Sequence, residues 1–142
     1  MSSIGENLRT FIVGSTSLST YFDAIDGIGT VEQNTIRQDA PSPRIWYQRN
    51  QQSEDLDVDG TGGLVESTWD IEVHSESPDG QSLDIADVLK ARLHGHKGAF
   101  GDQSVQGVFV EDHDDDYLPK GVASEDGLYV AALSAKIFFA TT

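Results

Sequence analysis

The chain contains no cysteine, which excludes disulfide staples, thiol nucleophiles and thiolate metal sites and leaves stability to packing. Basic residues are scarce: 9 Lys and Arg stand against 24 Asp and Glu, a formal charge of −15. Nucleic-acid affinity depends on Lys and Arg displacing counterions, so a DNA-gripping surface is not expected. No run of about 18 apolar residues is available to span a bilayer. The opening Met1-Ser2-Ser3-Ile4-Gly5-Glu6 lacks the basic and apolar regions of a signal peptide, so the expectation is a soluble chain that is not exported. There is no Gly-x-Ser-x-Gly elbow, and Gly60-Thr61-Gly62-Gly63 lacks the Lys of a phosphate loop and precedes a strand. Nucleophilic acyl transfer and nucleotide binding are thereby disfavoured.

What is present suits one domain over residues 1–142, with 37% hydrophobic residues and two tryptophans to build a core. Asp outnumbers Glu and Lys is rare, a bias that resembles proteins of hypersaline cytoplasms, where salt screens self-repulsion. Ser3-Ile4-Gly5-Glu6 has the spacing of a capping box, followed by an apolar stripe of Ile4, Leu8, Phe11 and Ile12 and a stop at Gly14. A short turn around Leu18 and a weak strand over Val31 to Gln38 precede Pro41 and Pro43. Arg44 to Arg49 and Glu66 to His74 read as paired strands, with Trp69, Ile71 and Val73 inward and Thr68, Asp70, Glu72 and His74 outward. Between them, Asn50 to Val65 reads as a protruding hairpin. Ser77-Pro78-Asp79-Gly80 predicts a turn, and a second helix with Leu83, Ile85, Ala86, Leu89 and Leu93 on its apolar face is capped near Ser82 and stopped at Gly95. Val105 to Glu111 and Leu128 to Ala140 are the last strands, joined by an acidic loop over residues 112–127. The final strand is apolar on both faces, as in a sheet's centre or against a partner, which makes Leu128, Val130 and Phe138 candidate contact residues. The expected fold is α+β: an antiparallel sheet of about four strands, two helices on one face, and a long protruding β-hairpin.

Three clusters invite a chemical reading. Asp55, Asp57, Asp59 and Gly60, with Glu66 beyond, match the carboxylate spacing of an EF-hand. The match defines an alternative function, a calcium-dependent binding module. An EF-hand needs flanking helices and an apolar eighth loop residue, whereas this segment has strands on both sides and Gly62 at that place. His94-Gly95-His96 and the run Glu111 to Asp116 lack a further ligand at a recognised spacing. No metal, cofactor or catalytic residue is therefore assigned. A hydrolase using a pair of carboxylates is a second rival, but no two of the 24 are brought together by sequence pattern.

The order of elements, with Ala40-Pro41-Ser42-Pro43-Arg44-Ile45-Trp46-Tyr47-Gln48 before the hairpin, Asp59-Gly60-Thr61-Gly62-Gly63-Leu64 at its tip and Trp69-Asp70-Ile71-Glu72-Val73-His74-Ser75 after it, resembles the tail-terminator, or tail-completion, proteins of long-tailed viruses. Ala86 to Gly95 and Gly127-Leu128-Tyr129-Val130 extend the resemblance over nearly the whole chain. It implies a non-enzymatic virion protein, made in the host cytoplasm and placed at the head-proximal end of the tail. It also implies a hexameric ring that stops tail-tube growth, meets the tube protein and the head connector, and lets DNA pass without specific binding. The acidity and the long 112–127 loop depart from the family pattern. Six copies at −15 each bring about −90 of formal charge, which would repel DNA in the lumen. Ring closure needs two different patches that meet, so sheet edges and the hairpin, through Leu56, Val58, Leu64 and Val65, are the expected contacts.

Overall fold

Ser3 begins the first helix as its spacing predicts: its hydroxyl oxygen accepts from the Glu6 N–H at 3.2 Å and donates to the Glu6 carboxylate at 3.3 Å. In the computed structural model, α1 runs Ile4–Val13 and buries Ile4, Leu8, Phe11 and Ile12, the predicted stripe, before Gly14 caps it. A four-residue α2, Thr16–Ser19, is capped by Ser15 and buries Leu18. The structure describes residues 3–22, 25–27, 30–34, 42–56, 63–76, 80–112, 116–118 and 128–140, with backbone alone at 53–56, 63–64, 112 and 116–118. The predicted turn at residues 77–79 and the hairpin tip at 57–62 lie outside them.

The weak strand is shorter than its pattern, with β1 confined to Val31–Gln33. Asn34 ends it by adopting φ 70°, a left-handed conformation that Asn tolerates better than most residues. β2, Arg44–Leu56, and β3, Gly63–Ser75, form one antiparallel ladder from Arg44 opposite His74 to Leu56 opposite Gly63. The predicted hairpin is thus a continuation of the two central strands. One bulge interrupts it, where Asn50 is the extra residue between the pairs Arg49–Trp69 and Gln51–Thr68.

α3, Gln81–Leu93, starts behind Gly80, which has φ 84° and gives no side-chain cap, so the expected cap near Ser82 is replaced by a glycine turn and Ser82 is buried in the first helical turn. Ile85, Ala86, Leu89 and Leu93 face the core, but Leu83 is 45% exposed. A helical period places Leu83 roughly opposite Ile85, which removes it from the predicted apolar face. The predicted strand from Val105 is divided. β4, Gly98–Phe100, and β5, Gln103–Val105, make a separate two-stranded sheet, and β6, Gly107–Asp112, belongs to the main one. Asn7 explains the split: its amide donates to Gln103 Oε1 at 2.6 Å and its carbonyl accepts the Asp102 N–H at 3.1 Å, tying the small hairpin to α1. The loop expected over 112–127 contains a short strand, β7, Asp116–Leu118, paired with the start of β8, Leu128–Ala140.

Among the described residues the main sheet has six strands in the order β1-β2-β3-β8-β6, with β7 also on β8. It exceeds the expected four, and it is not wholly antiparallel because β1 runs parallel to β2. β8 is paired on both edges, which places it inside the sheet, one of the two settings its apolar faces predict. The core joins Leu8, Ile12, Leu89 and Leu93 to Ile45, Tyr47, Ile71, Val73, Leu133 and Ile137, so α1 and α3 cover one face of the sheet. On the opposite face lie Glu66, Thr68, Asp70 and Glu72, as alternation predicts. His74 is the exception at 4% exposure. Its Nε2 meets Glu72 Oε1 at 2.8 Å, and it sits in register between Arg44 and Val130.

Candidate assembly surfaces

The edges of the sheet decide where another chain can attach, because an unpaired strand edge is a template for further pairing. The β6 edge is closed at its middle. The Val108 carbonyl accepts the Gly95 N–H at 2.8 Å, and the Val110 N–H donates to His94 Nδ1 at 3.0 Å. His94 therefore serves the neighbouring strand and not the helix carbonyls. His96 meets the Ala99 carbonyl at 2.6 Å, so the two imidazoles are spent on different backbone groups and do not converge on a metal. At the other edge, Arg9 Nε donates to the Val31 carbonyl at 3.1 Å. β1 covers β2 only opposite Ile45, Trp46 and Tyr47. Past Asn34, whose N–H donates to the Tyr47 carbonyl at 2.8 Å, no described strand pairs with the outer edge of β2.

Of the expected contact residues, Val65 and Leu128 are each only 2% exposed and are covered within the chain. Val130 and Phe138 are partly buried on the helix-free face. Phe138 stands edge-on to Phe109 with ring centroids 5.7 Å apart, and Phe109 is 53% exposed. Phe109 was not singled out by the sequence because it reads as one more apolar residue in a strand. Only the pairing with Lys136 places it outside. Leu56 and Leu64 belong to the ladder of the arm, opposite Gly63 and Asp55, and Val58 lies outside the described residues.

The calcium candidates do not assemble among the described residues. Asp57 and Asp59 fall in the tip outside them, Asp55 is in a strand, and Glu66 Oε1 lies 3.6 Å from Lys136 Nζ. Strands flank the segment where an EF-hand requires helices. No group of three potential metal ligands occurs among the described residues.

Among the described residues two recesses lie beside β2, and neither was legible in the sequence. One, about 380 Å³, lies on the helix-free face between Trp46, Gln48, Asn50, Asp70, Glu72 and Ala132. The Asn50 amide donates to Asp70 Oδ2 at 2.9 Å there. The other, about 450 Å³, lies at the start of α1, lined by Ser3, Ile4, Gly5, Gln33, Asn34, Gln48, Arg49 and Trp69. Its lining comes from four elements distant in sequence, so no local spacing announces it. Just inside it, the Tyr47 hydroxyl donates to the Gly5 carbonyl at 2.8 Å, and burial holds that phenol well above its ordinary pKa, with Arg9 opposing the effect. Burial likewise lowers the Arg44 pKa, partly offset by Glu76.

No helix among the described residues is long and apolar enough to cross a membrane. No protein-family model matches the chain, and no curated protein matches its sequence. Among solved structures it is similar to a chain of the virion of a native gene transfer agent (GTA) particle, with a TM-score of 0.57 and 11% sequence identity, over 96% of this chain and 90% of that one. The protein therefore has, over almost its full length, the fold of a component of the GTA virion.

Proposed function

We propose that this protein is a non-enzymatic structural subunit of a virus-like particle, and within that class a tail terminator that closes into a hexameric ring between the tail tube and the head connector. The observation carrying the reading is the match in fold to a GTA virion chain over 96% of this chain and 90% of that one. The element order and hairpin of the tail-terminator family support the finer assignment. The DNA-repelling charge of −15 per copy suits a ring through which DNA moves without sticking.

The contact surfaces in this reading are the hairpin arm, with Leu56, Val58 and Leu64, and the helix-free face, with Val130 and Phe138. Val65 and Leu128 shape the strands from within. The blocked middle of β6 prevents strand addition there, so contact at that sheet edge is left to side chains, beside the arm and the face. A head-to-tail ring requires two different patches per copy, and these two are distinct.

The test is mass in solution at low and molar salt, with electron microscopy of the same samples and of samples containing tail tube. A six-membered ring, free or on the end of the tube, is the expected result. A monomer in every condition, with nothing added to the tube end, overturns the reading. An acidic protein of this charge from a halophilic host would assemble best in molar salt.

A further inference from the structure

The recess at the start of α1 differs from the rest of this molecule in sign. The chain has 24 Asp and Glu residues, yet among the described residues none of the eight that line this recess is acidic, and one of them is Arg49. The recess on the other side of β2 carries Asp70 and Glu72. The first turn of a ten-residue helix opens on the site. Ser3 caps the Glu6 N–H, and the first internal bond is Asn7 N–H to the Ser3 carbonyl, which leaves the N–H groups of Ile4 and Gly5 ahead of the helical ladder. Such N–H groups favour an anion.

A second observation is independent of the helix. Trp69 lines the recess and is only 2% exposed, and its indole N–H has no acceptor among the described residues. Buried N–H donors of this kind nearly always have a partner, so the missing one calls for a ligand. The wall is also shaped for the purpose. A Cβ at Gly5 would come within 2.6 Å of the Gln33 amide, so the glycine is what allows that amide to lie against the helix start. The lining therefore combines the residues Arg49, Gln33, Asn34 and Trp69 with the helix N–H groups, donors suited to a carboxylate.

We propose that this recess binds a carboxylate, and that its occupant is an Asp or Glu side chain from the Glu111 to Asp116 run of a second copy. The choice of partner rests on the ring reading. The strand order puts the recess at the β1-β2 edge and the two ends of that run, Glu111-Asp112 in β6 and Asp116 in β7, at the opposite side of the sheet. Successive copies in a head-to-tail ring bring opposite sides together, and here they bring the densest acidic run to the one recess described with a cation and no acid.

The protein carries two tryptophans, so Trp46→Phe leaves Trp69 as the only one and makes its fluorescence a reporter of the site. The full chain carrying this change is titrated, at constant ionic strength, with the peptide of residues 111–116 and separately with sodium acetate. The expected result is a saturable change in Trp69 emission with the peptide, at least tenfold weaker when Arg49→Gln is added, with far-UV circular dichroism showing that both proteins are folded. Arg49→Lys, which keeps the charge, should recover part of the response. No saturable change, or an equal change in Arg49→Gln, overturns the site. A response to acetate and none to the peptide marks a small-anion site only and overturns the proposed occupant. Sedimentation of the unmodified protein separates the two readings. Peptide binding by a chain that never oligomerises supports the site and defeats the ring. Rings that assemble equally well with Arg49→Gln, in the absence of peptide binding, defeat the site and leave the ring standing.

Discussion

Tyr47 joins the sheet to the first turn of α1 through a single hydroxyl, 2.8 Å from the Gly5 carbonyl. Tyr47→Phe should cost about 1 kcal/mol in urea denaturation, the net value of one such hydrogen bond. The same substitution has a pH signature. The folded-state pKa of Tyr47 is raised, chiefly by burial, so above the ordinary phenol value near 10 the unfolded chain releases this proton while the folded one retains it. Stability then falls as pH rises, by at most about 1.4 kcal/mol per pH unit from this group. The phenylalanine variant should show a shallower alkaline loss above pH 10, and an equal slope in both proteins would remove Tyr47 from the account. Asn7 is a second buried linker, holding Gln103 and the Asp102 N–H. Asn7→Ala removes both of these hydrogen bonds and should cost about 1–3 kcal/mol, read from the same denaturation curves.

Among the elements, α1 and α3 behave as their periodicities demand, and the two differ in how they begin. A serine starts the first and a left-handed glycine the second. Leu89, fully buried, and Leu83, on the solvent side, give a paired prediction within one helix. Leu89→Ala should lose about 2–5 kcal/mol and Leu83→Ala less than about 0.5 kcal/mol, measured by urea unfolding. The stripe of α1 and the inward set Trp69, Ile71 and Val73 were legible because each is a local repeat with a single solution. β4, β5 and β7 were not, because three-residue strands are too short for a period to register, and long-range partners fix them: Asn7 for the first two and β8 for the third. His74 shows the same limit in one side chain. Its alternation assigns it to solvent, while its position beside Arg44, Glu72 and Val130 buries it. The recess lined by Gln33, Arg49 and Trp69 escaped the sequence for a related reason, since each residue already has a local explanation as part of a strand.

At the scale of the whole molecule the excess of acid dominates. A charge of −15 on 142 residues repels itself, and screening reaches about 10 Å at 0.1 M salt and about 3 Å at 1 M. The melting temperature should therefore rise from dilute buffer to molar KCl, and an unchanged value would mean that the fold tolerates its charge without help from salt. One residue of the hairpin also has consequences at this scale. Asn50 sits between two intact pairs, Arg49 with Trp69 and Gln51 with Thr68. Deleting it would leave every cross-strand partner in place and flatten the bend and added twist that a bulge imposes. Asn50 therefore works as an aiming device: the body of the sheet and the arm keep their own pairings, and the angle between them is set by one extra residue. A chain lacking it should fold with nearly unchanged stability, yet point its arm elsewhere and close rings of altered size or none.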